Sequence, residues 1–244
     1  MANPERTITQ IIEAIKEAES GENKKEPPPV FVESAAIHNE FEIPLNQAAA
    51  VQINNTIKTE NKYAVCNLEI VPCNSSEEFL FPSNRQKIVD QINKVLEAEA
   101  PVSRNLLCKR VLSAWGISRN GARLNGYFEI LFSGMDIRKI SYGNNVFFWK
   151  QEQHPAEFTV YRSAGNDHDK RNADDIPPKE IANAVKQVLK EQISLSKDDL
   201  IRETAKLFMF SKVGTNVETA MKQGIKVALE NGDAKENNGR IGIG

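Results

Sequence analysis

A repeat at a fixed spacing constrains this chain more than any other feature of its sequence. Sliding the sequence by 93 residues brings Ile88 onto Ile181, Ile92 onto Val185, Val95 onto Val188 and Leu96 onto Leu189. The same offset, without a gap, pairs Ser103 with Ser196, Leu107 with Leu200, Trp115 with Phe208, Ser118 with Ser211, Gly121 with Gly214 and Leu124 with Val217. Seven of these ten pairs are identical, and apolar, capping and glycine positions coincide. Two unrelated helical stretches in phase would match their apolar residues; the two Ser-x-x-Gly matches go beyond that.

Each copy predicts three helices and a hairpin. In the first copy Ile88–Ala98 is amphipathic at the helical period, and Pro101 closes the connection. Ser103 can cap a second helix that turns Leu107, Val111 and Trp115 inward, because its hydroxyl accepts an orphan backbone N–H. After a tight turn at Gly116, Ser118 can cap a third helix carrying Leu124, Phe128 and Leu131 or Phe132. The second copy repeats this with Ile181–Leu189, then Ser196 before Leu200 to Phe208, then Ser211 before Val217, Met221 and Ile225. Asp198 and Asp199 fall in a first helical turn, where the macrodipole favours negative charge. The β-rich runs around Gly143-Asn144-Asn145 predict a hairpin, and Asn237-Asn238-Gly239 predicts a shorter one. Three helices followed by a two-stranded hairpin is the order of a winged helix, a helix-turn-helix with a β wing.

The predicted fold class is therefore mainly α with small β hairpins, as two tandem winged-helix domains. The expected organisation is an amphipathic helix over 1–20, a linker or strap over 21–83, a first domain over 84–152, a linker over 153–176 and a second domain over 177–244. Ile8, Ile11, Ile12 and Ile15 carry the N-terminal helix, and Glu22 to Pro29 is too charged and proline-rich to fold alone. Charge is segregated along this plan. Residues 1–83 hold 6 basic and 13 acidic side chains, residues 84–152 hold 11 and 6, and residues 153–244 hold 14 of each. Only the middle block has the cationic surplus of a phosphate-facing surface, while the chain as a whole, at net −2, has no overall pull towards polyanions.

Several classes of function are disfavoured. No apolar run approaches a membrane span, and Met1 to Ser20 lacks the pattern of a secretory signal. Cys66, Cys73 and Cys108 are too scattered for a disulfide framework or a zinc cage, so a reduced, soluble, cytoplasmic protein is expected. His38, His154 and His168 lack partners at ligand spacing, and no phosphate loop of the G-x-x-x-x-G-K-[ST] type occurs. No metal, cofactor or catalytic residue is expected, and the chain reads as a non-enzyme. Asp174-Asp175 with Lys179-Glu180 superficially matches a metal-dependent nuclease, but reads by default as charged linker. Cys108 beside Lys109 and Arg110 is expected to be an inert buried thiol.

Glu99-Ala100-Pro101-Val102 and then Ser118-Arg119-Asn120-Gly121-Ala122-Arg123 carry a family resemblance. They resemble the opening of a C-terminal domain of unknown function in large bacterial superfamily-one helicase proteins that also carry a restriction-endonuclease-like domain. Asp175 to Ile181 and Asp199 to Glu203 look like the continuation of that tail, and Asn3-Pro4-Glu5-Arg6 is similar to the helix closing the nuclease-like domain. The resemblance implies a tandem winged-helix-like tail acting beside helicase and nuclease domains of the same or a larger protein. It carries no motor activity to these residues.

In a helix-turn-helix the N-terminal part of the last helix enters the major groove while the wing holds phosphates. Arg119, Asn120 and Arg123 would lead the first such helix, and Arg and Asn can bond base edges bidentately. Arg138, Lys139, Tyr142 and Asn144 would meet the backbone from the wing; Lys212, Thr215, Asn216 and Lys222 occupy the matching face of the second copy. DNA is the expected partner. The plain alternatives are solvated polar residues or a protein-docking surface on the motor or another chain. Gly121 and Gly214 are expected to permit close approach, chiefly for packing. Trp115, Phe147, Phe148 and Trp149 are expected in the core.

Overall fold

The computed structural model describes residues 62–73 and 75–244; the N-terminal helix, the proline-rich stretch and His38 lie outside the described residues. The described chain is mainly α with small sheets. It opens with a two-residue strand β1 (Lys62–Tyr63) and a short helix α1 (Ser76–Phe79). The first copy follows as α2 (Arg85–Glu99), β2 (Val102–Ser103), α3 (Arg104–Ala114), α4 (Ala122–Ser133), β3 (Arg138–Tyr142) and β4 (Asn145–Trp149). After β5 (Ser163–Ala164), the second copy is α5 (Pro178–Gln192), β6 (Ser194–Ser196), α6 (Lys197–Leu207), α7 (Thr215–Glu230), β7 (Ala234–Asn237) and β8 (Arg240–Ile243). The three helices of each copy start 93 residues apart, the offset read from the sequence.

The spacing of apolar residues explains these helices. On α2, Ile88, Ile92, Val95 and Leu96 recur at i, i+4, i+7 and i+8 and are buried. Ser103 caps α3 by accepting from the Leu106 N–H at 3.0 Å, and Ser196 caps α6 by accepting from the Asp199 N–H at 3.2 Å. Both second helices stop in the same way. The N–H of Ile117 donates to the Leu112 carbonyl and that of Phe210 to the Ala205 carbonyl, across a residue in the left-handed region. Lobe one uses Gly116 there, at φ +68°; lobe two uses Met209, at φ +64°.

The expected caps of the third helices are corrected. Ser118 and Ser211 lie exposed in the preceding loops, and the N-caps of α4 and α7 are Gly121 and Gly214. The chain leaves its left-handed turn and needs four or five further residues before it can re-enter a helix. The sheets also gain a strand that the sequence does not signal: β2 pairs with β4 and β6 with β8, giving orders β2-β4-β3 and β6-β8-β7. Strands of two and three residues are too short for a period to register. The hairpins close through Gly143-Asn144, with Gly143 alone at positive φ, and Asn238-Gly239, with both residues at positive φ. These are the backbone signatures of type II′ and type I′ turns.

Each copy has its own core. In the first, Trp115 donates its indole N–H to Gln91 at 2.7 Å, so a buried amide is satisfied within an aromatic cluster. Phe79 packs edge-on against Trp115 at 5.2 Å and tilted against Phe128 at 5.9 Å, which brings the strap before α2 into this core. Trp115, Phe147, Phe148 and Trp149 are all buried, as expected. In the second core α5 and α7 pack so closely that a Cβ on Gly224 would lie 2.2 Å from Ile181.

The two lobes fall in one compact unit. Residues 153–176, expected as a linker, run as an ordered strap that holds buried Arg171, Ala173, Asp175 and Ile176. Strand β5 pairs in parallel with β1. Arg162 donates to the carbonyls of Glu99 at 2.9 Å and Pro101 at 2.8 Å, and to the Glu180 carboxylate at 2.7 Å. Arg171 reaches the same carboxylate at 2.9 Å and lies 4.1 Å over the ring of Tyr63. The Tyr63 hydroxyl in turn donates to Glu99, which also pairs with Arg110 at 3.1 Å. Ser103 donates to Asp175 across the same boundary. The charged stretch Asp174 to Glu180 is therefore not plain linker: Asp174 is exposed, but Asp175 and Glu180 are buried because a hydroxyl meets the one and guanidinium groups the other. No helix among the described residues is long and apolar enough to cross a membrane.

Two outcomes follow from this packing. Gly224→Ala is expected to lose about 1–3 kcal/mol in urea unfolding, because α5 and α7 must separate. Glu180→Gln should cost about 3–5 kcal/mol, because two buried guanidinium groups lose their counter-charge. Burial alone would raise the Glu180 carboxyl, but Arg171 and Arg162 outweigh it and bring it from 4.5 to about 2. A depressed folded value stabilises above the unfolded value and is lost as pH falls through the folded one. Stability measured between pH 4.5 and about 2 should therefore fall in the wild type, and this component should be missing from Glu180→Gln.

Candidate nucleic-acid interface

The N-terminus of α4 brings together three of the residues singled out from sequence. Its N-cap Gly121 supplies no side-chain hydrogen bond, so the first backbone N–H groups of α4 lack a capping side chain. No Cβ on Gly121 or Gly214 would meet anything within 4 Å, and both have negative φ. Close packing is therefore not their role, which corrects the expectation; they leave two helix starts open. Arg119 is exposed beside the first of these and makes no hydrogen bond or ion pair among the described residues. Arg123 is 68% exposed and pairs with Glu77 on α1. An exposed pair of this kind contributes little, so the guanidinium can exchange partners cheaply. Glu77 lies 46 residues away in sequence, and no local pattern announces it.

Asn120 behaves differently. Its amide donates to the Asn125 side chain at 2.7 Å, and Asn125 donates back to the Asn120 carbonyl at 3.3 Å. Arg104 joins the clasp, reaching Asn125 at 3.2 Å and Glu129 at 2.8 Å. The side chain thus fastens the loop to α4.

The hairpin residues are mostly engaged within the chain. Arg138 donates to the Gln153 carbonyl and lies 3.2 Å from the His154 ring nitrogen. Lys139 donates to the Phe132 carbonyl at 3.0 Å, closing the C-terminal end of α4. Tyr142 is half-buried with its ring against Phe147, and burial raises its hydroxyl above the ordinary tyrosine range. Asn144 is exposed at the turn. Tyr142 and Asn144 share a cleft of about 260 Å³ with Ala173, Thr219 and Gln223, so the hairpin tip faces α7 of the second lobe.

In the second copy Lys212, Thr215 and Asn216 are exposed around the start of α7, and Lys222 pairs with Glu218 one turn on. Lys212, Thr215 and Asn216 thus gather at the helix start, while Lys222 lies two turns in and is held by an acidic neighbour. Asp175, Lys179 and Glu180 do not assemble as a nuclease site: Asp175 meets Ser103, Glu180 meets two arginines, and Lys179 faces elsewhere. Among the described residues no three His, Cys, Asp or Glu side chains converge as a metal-ligand set. Cys108 is fully buried, and burial pushes its thiol up to about 12, despite its basic neighbours.

Residues 77–126 match the family model described as a protein of unknown function (DUF3320). The match runs from α1 through the capped start of α3 and the loop holding Arg119 to the first turn of α4. It is in keeping with the resemblance to a domain of unknown function. No curated protein and no solved structure matches the chain.

Proposed function

We propose that this chain is a non-catalytic nucleic-acid-binding module of two winged helices in tandem, holding DNA for a helicase/nuclease-type protein. Each lobe has the order helix, strand, helix, helix, strand, strand, with the short strand added to the hairpin. That is the order of a winged helix. The observation that carries the reading is the start of α4: an uncapped helix N-terminus flanked by the exposed Arg119 and Arg123. Such a terminus attracts phosphate through oriented N–H groups and the macrodipole. The basic surplus of residues 84–152 acts in the same direction. Arg119 and Arg123 are its leading contacts, and α7 with Lys212, Thr215 and Asn216 is a weaker second one.

Protein docking is the second reading, favoured by a specific feature of lobe two. Ile201, Phe210 and Val213 line a cleft of about 470 Å³ between α6 and α7, ringed by both Asp198 and Arg202. Mixed charge around apolar side chains suits a polypeptide better than a polyanion. That reading expects no DNA affinity near physiological salt, and co-purification with the motor or another chain.

Arg119→Ala combined with Arg123→Ala is expected to weaken duplex binding and to lower the slope of log K against log salt by about 2. Unchanged affinity and slope in anisotropy titrations would rule out this face. Gly121→Asp separates fold from binding. A carboxylate at the N-cap should hold or slightly raise the melting temperature, while reducing DNA affinity by about tenfold through repulsion at the helix start.

A further inference from the structure

A second cationic surface lies on α5, away from the α4 face. Lys179, Asn183, Lys186 and Lys190 recur at i, i+4, i+7 and i+11, one stripe along the helix. They line a cleft of about 720 Å³ with Tyr142 of the first hairpin and Asp233 beyond α7. Asn183 spends both amide hydrogens on the strap, donating to Phe158 at 2.9 Å and Val160 at 2.8 Å, and so fixes the opposite wall. Lys186 pairs with Asp233 at 2.6 Å, and Asp233 is the one carboxylate among the lining residues. Lys179 is only 9% exposed and makes no hydrogen bond or ion pair among the described residues. Its stem is covered by the chain while its ammonium keeps contact with water, as in a lysine that lines a cleft. The Tyr142 hydroxyl, half-buried on the facing wall, also has no partner among the described residues.

We propose that this cleft binds a phosphate-bearing ligand, with Lys179, Lys190 and the Tyr142 hydroxyl as its donors and Lys186 adding charge. Three ammonium groups against one carboxylate leave two positive charges, which suits a phosphate dianion or a diphosphate. Ammonium groups act on phosphate as point charges and do not require the planar geometry of a carboxylate. From Lys179 to Lys190 the stripe runs about 16 Å, long enough for more than one phosphate. The volume falls within the range of small-ligand sites. A nucleotide's phosphate chain and the backbone of a nucleic-acid strand offer the same chemistry. The inference stands independently of the α4 face.

The test uses the full chain, with calorimetry against inorganic pyrophosphate and ATP and anisotropy with a short single-stranded oligonucleotide. Pyrophosphate or ATP binding that weakens about tenfold or more in Lys190→Gln and in Tyr142→Phe supports the proposal. These two side chains are exposed or half-buried, so the test survives if Lys179→Gln does not fold. Loss of nucleotide binding alone identifies a free phosphate ligand, and parallel loss of oligonucleotide binding identifies a strand. No binding of pyrophosphate, ATP or oligonucleotide by the wild type overturns the proposal. So does binding that only Arg119→Ala with Arg123→Ala diminishes, an outcome that would leave the α4 reading intact.

Discussion

A carboxylate with no access to water, held between two guanidinium groups, sets the architecture of this protein. Glu180 is fully buried on α5, and its partners Arg162 and Arg171 both come from the strap between the lobes. Taking three charged groups out of water is unfavourable unless each donor and acceptor is matched. Most of the donors are met: both terminal nitrogens of Arg162 donate, to carbonyls at the end of α2 and to Glu180, its Nε–H alone stays buried without a partner among the described residues, and Arg171 stacks on Tyr63. Because those partners belong to different lobes, satisfying Glu180 fixes where the first lobe sits. The hairpin tip then faces α7, and the cleft beside α5 gains Tyr142 as a wall.

Much of the helical framework is legible in the sequence because it rests on local physics. The 93-residue offset returns as the common start of all three helix pairs, and Ser103 and Ser196 cap as their positions indicate. The aromatic residues of the first core carry enough apolar area that burial is their only economical state. What the sequence conceals is long-range or charged. Strands β2 and β6 are too short to show a period, and their pairing is decided by β4 and β8. The strap reads as polar linker because its arginines look solvated until Glu180 is known to face them.

The candidate interface divides along the same line. Arg123 lies exposed in the first turn of α4, where helix register alone turns it to solvent, while Arg119, expected to lead that helix, lies exposed in the loop before its N-cap. Asn120, Arg138 and Lys139 bond to groups that no periodicity reveals: a neighbouring amide, a carbonyl beyond the hairpin, and the end of α4. The repeat places Gly121 and Gly214 at matching positions, but only the geometry shows what they do. With open space around them, they leave backbone donors uncovered.

The strap has a consequence for how this duplication can be divided. Repeated lobes suggest interchangeable cassettes, yet severing the chain after Trp149 would strip Arg162 from the carbonyls of Glu99 and Pro101, and Phe158 from the ring of Trp149. The detached second half would keep Arg171 but lose the tyrosine ring on which it rests. Neither half carries a finished surface at the cut. The tandem arrangement is therefore a single cooperative object, and its two helical lobes present themselves to any partner at one fixed separation.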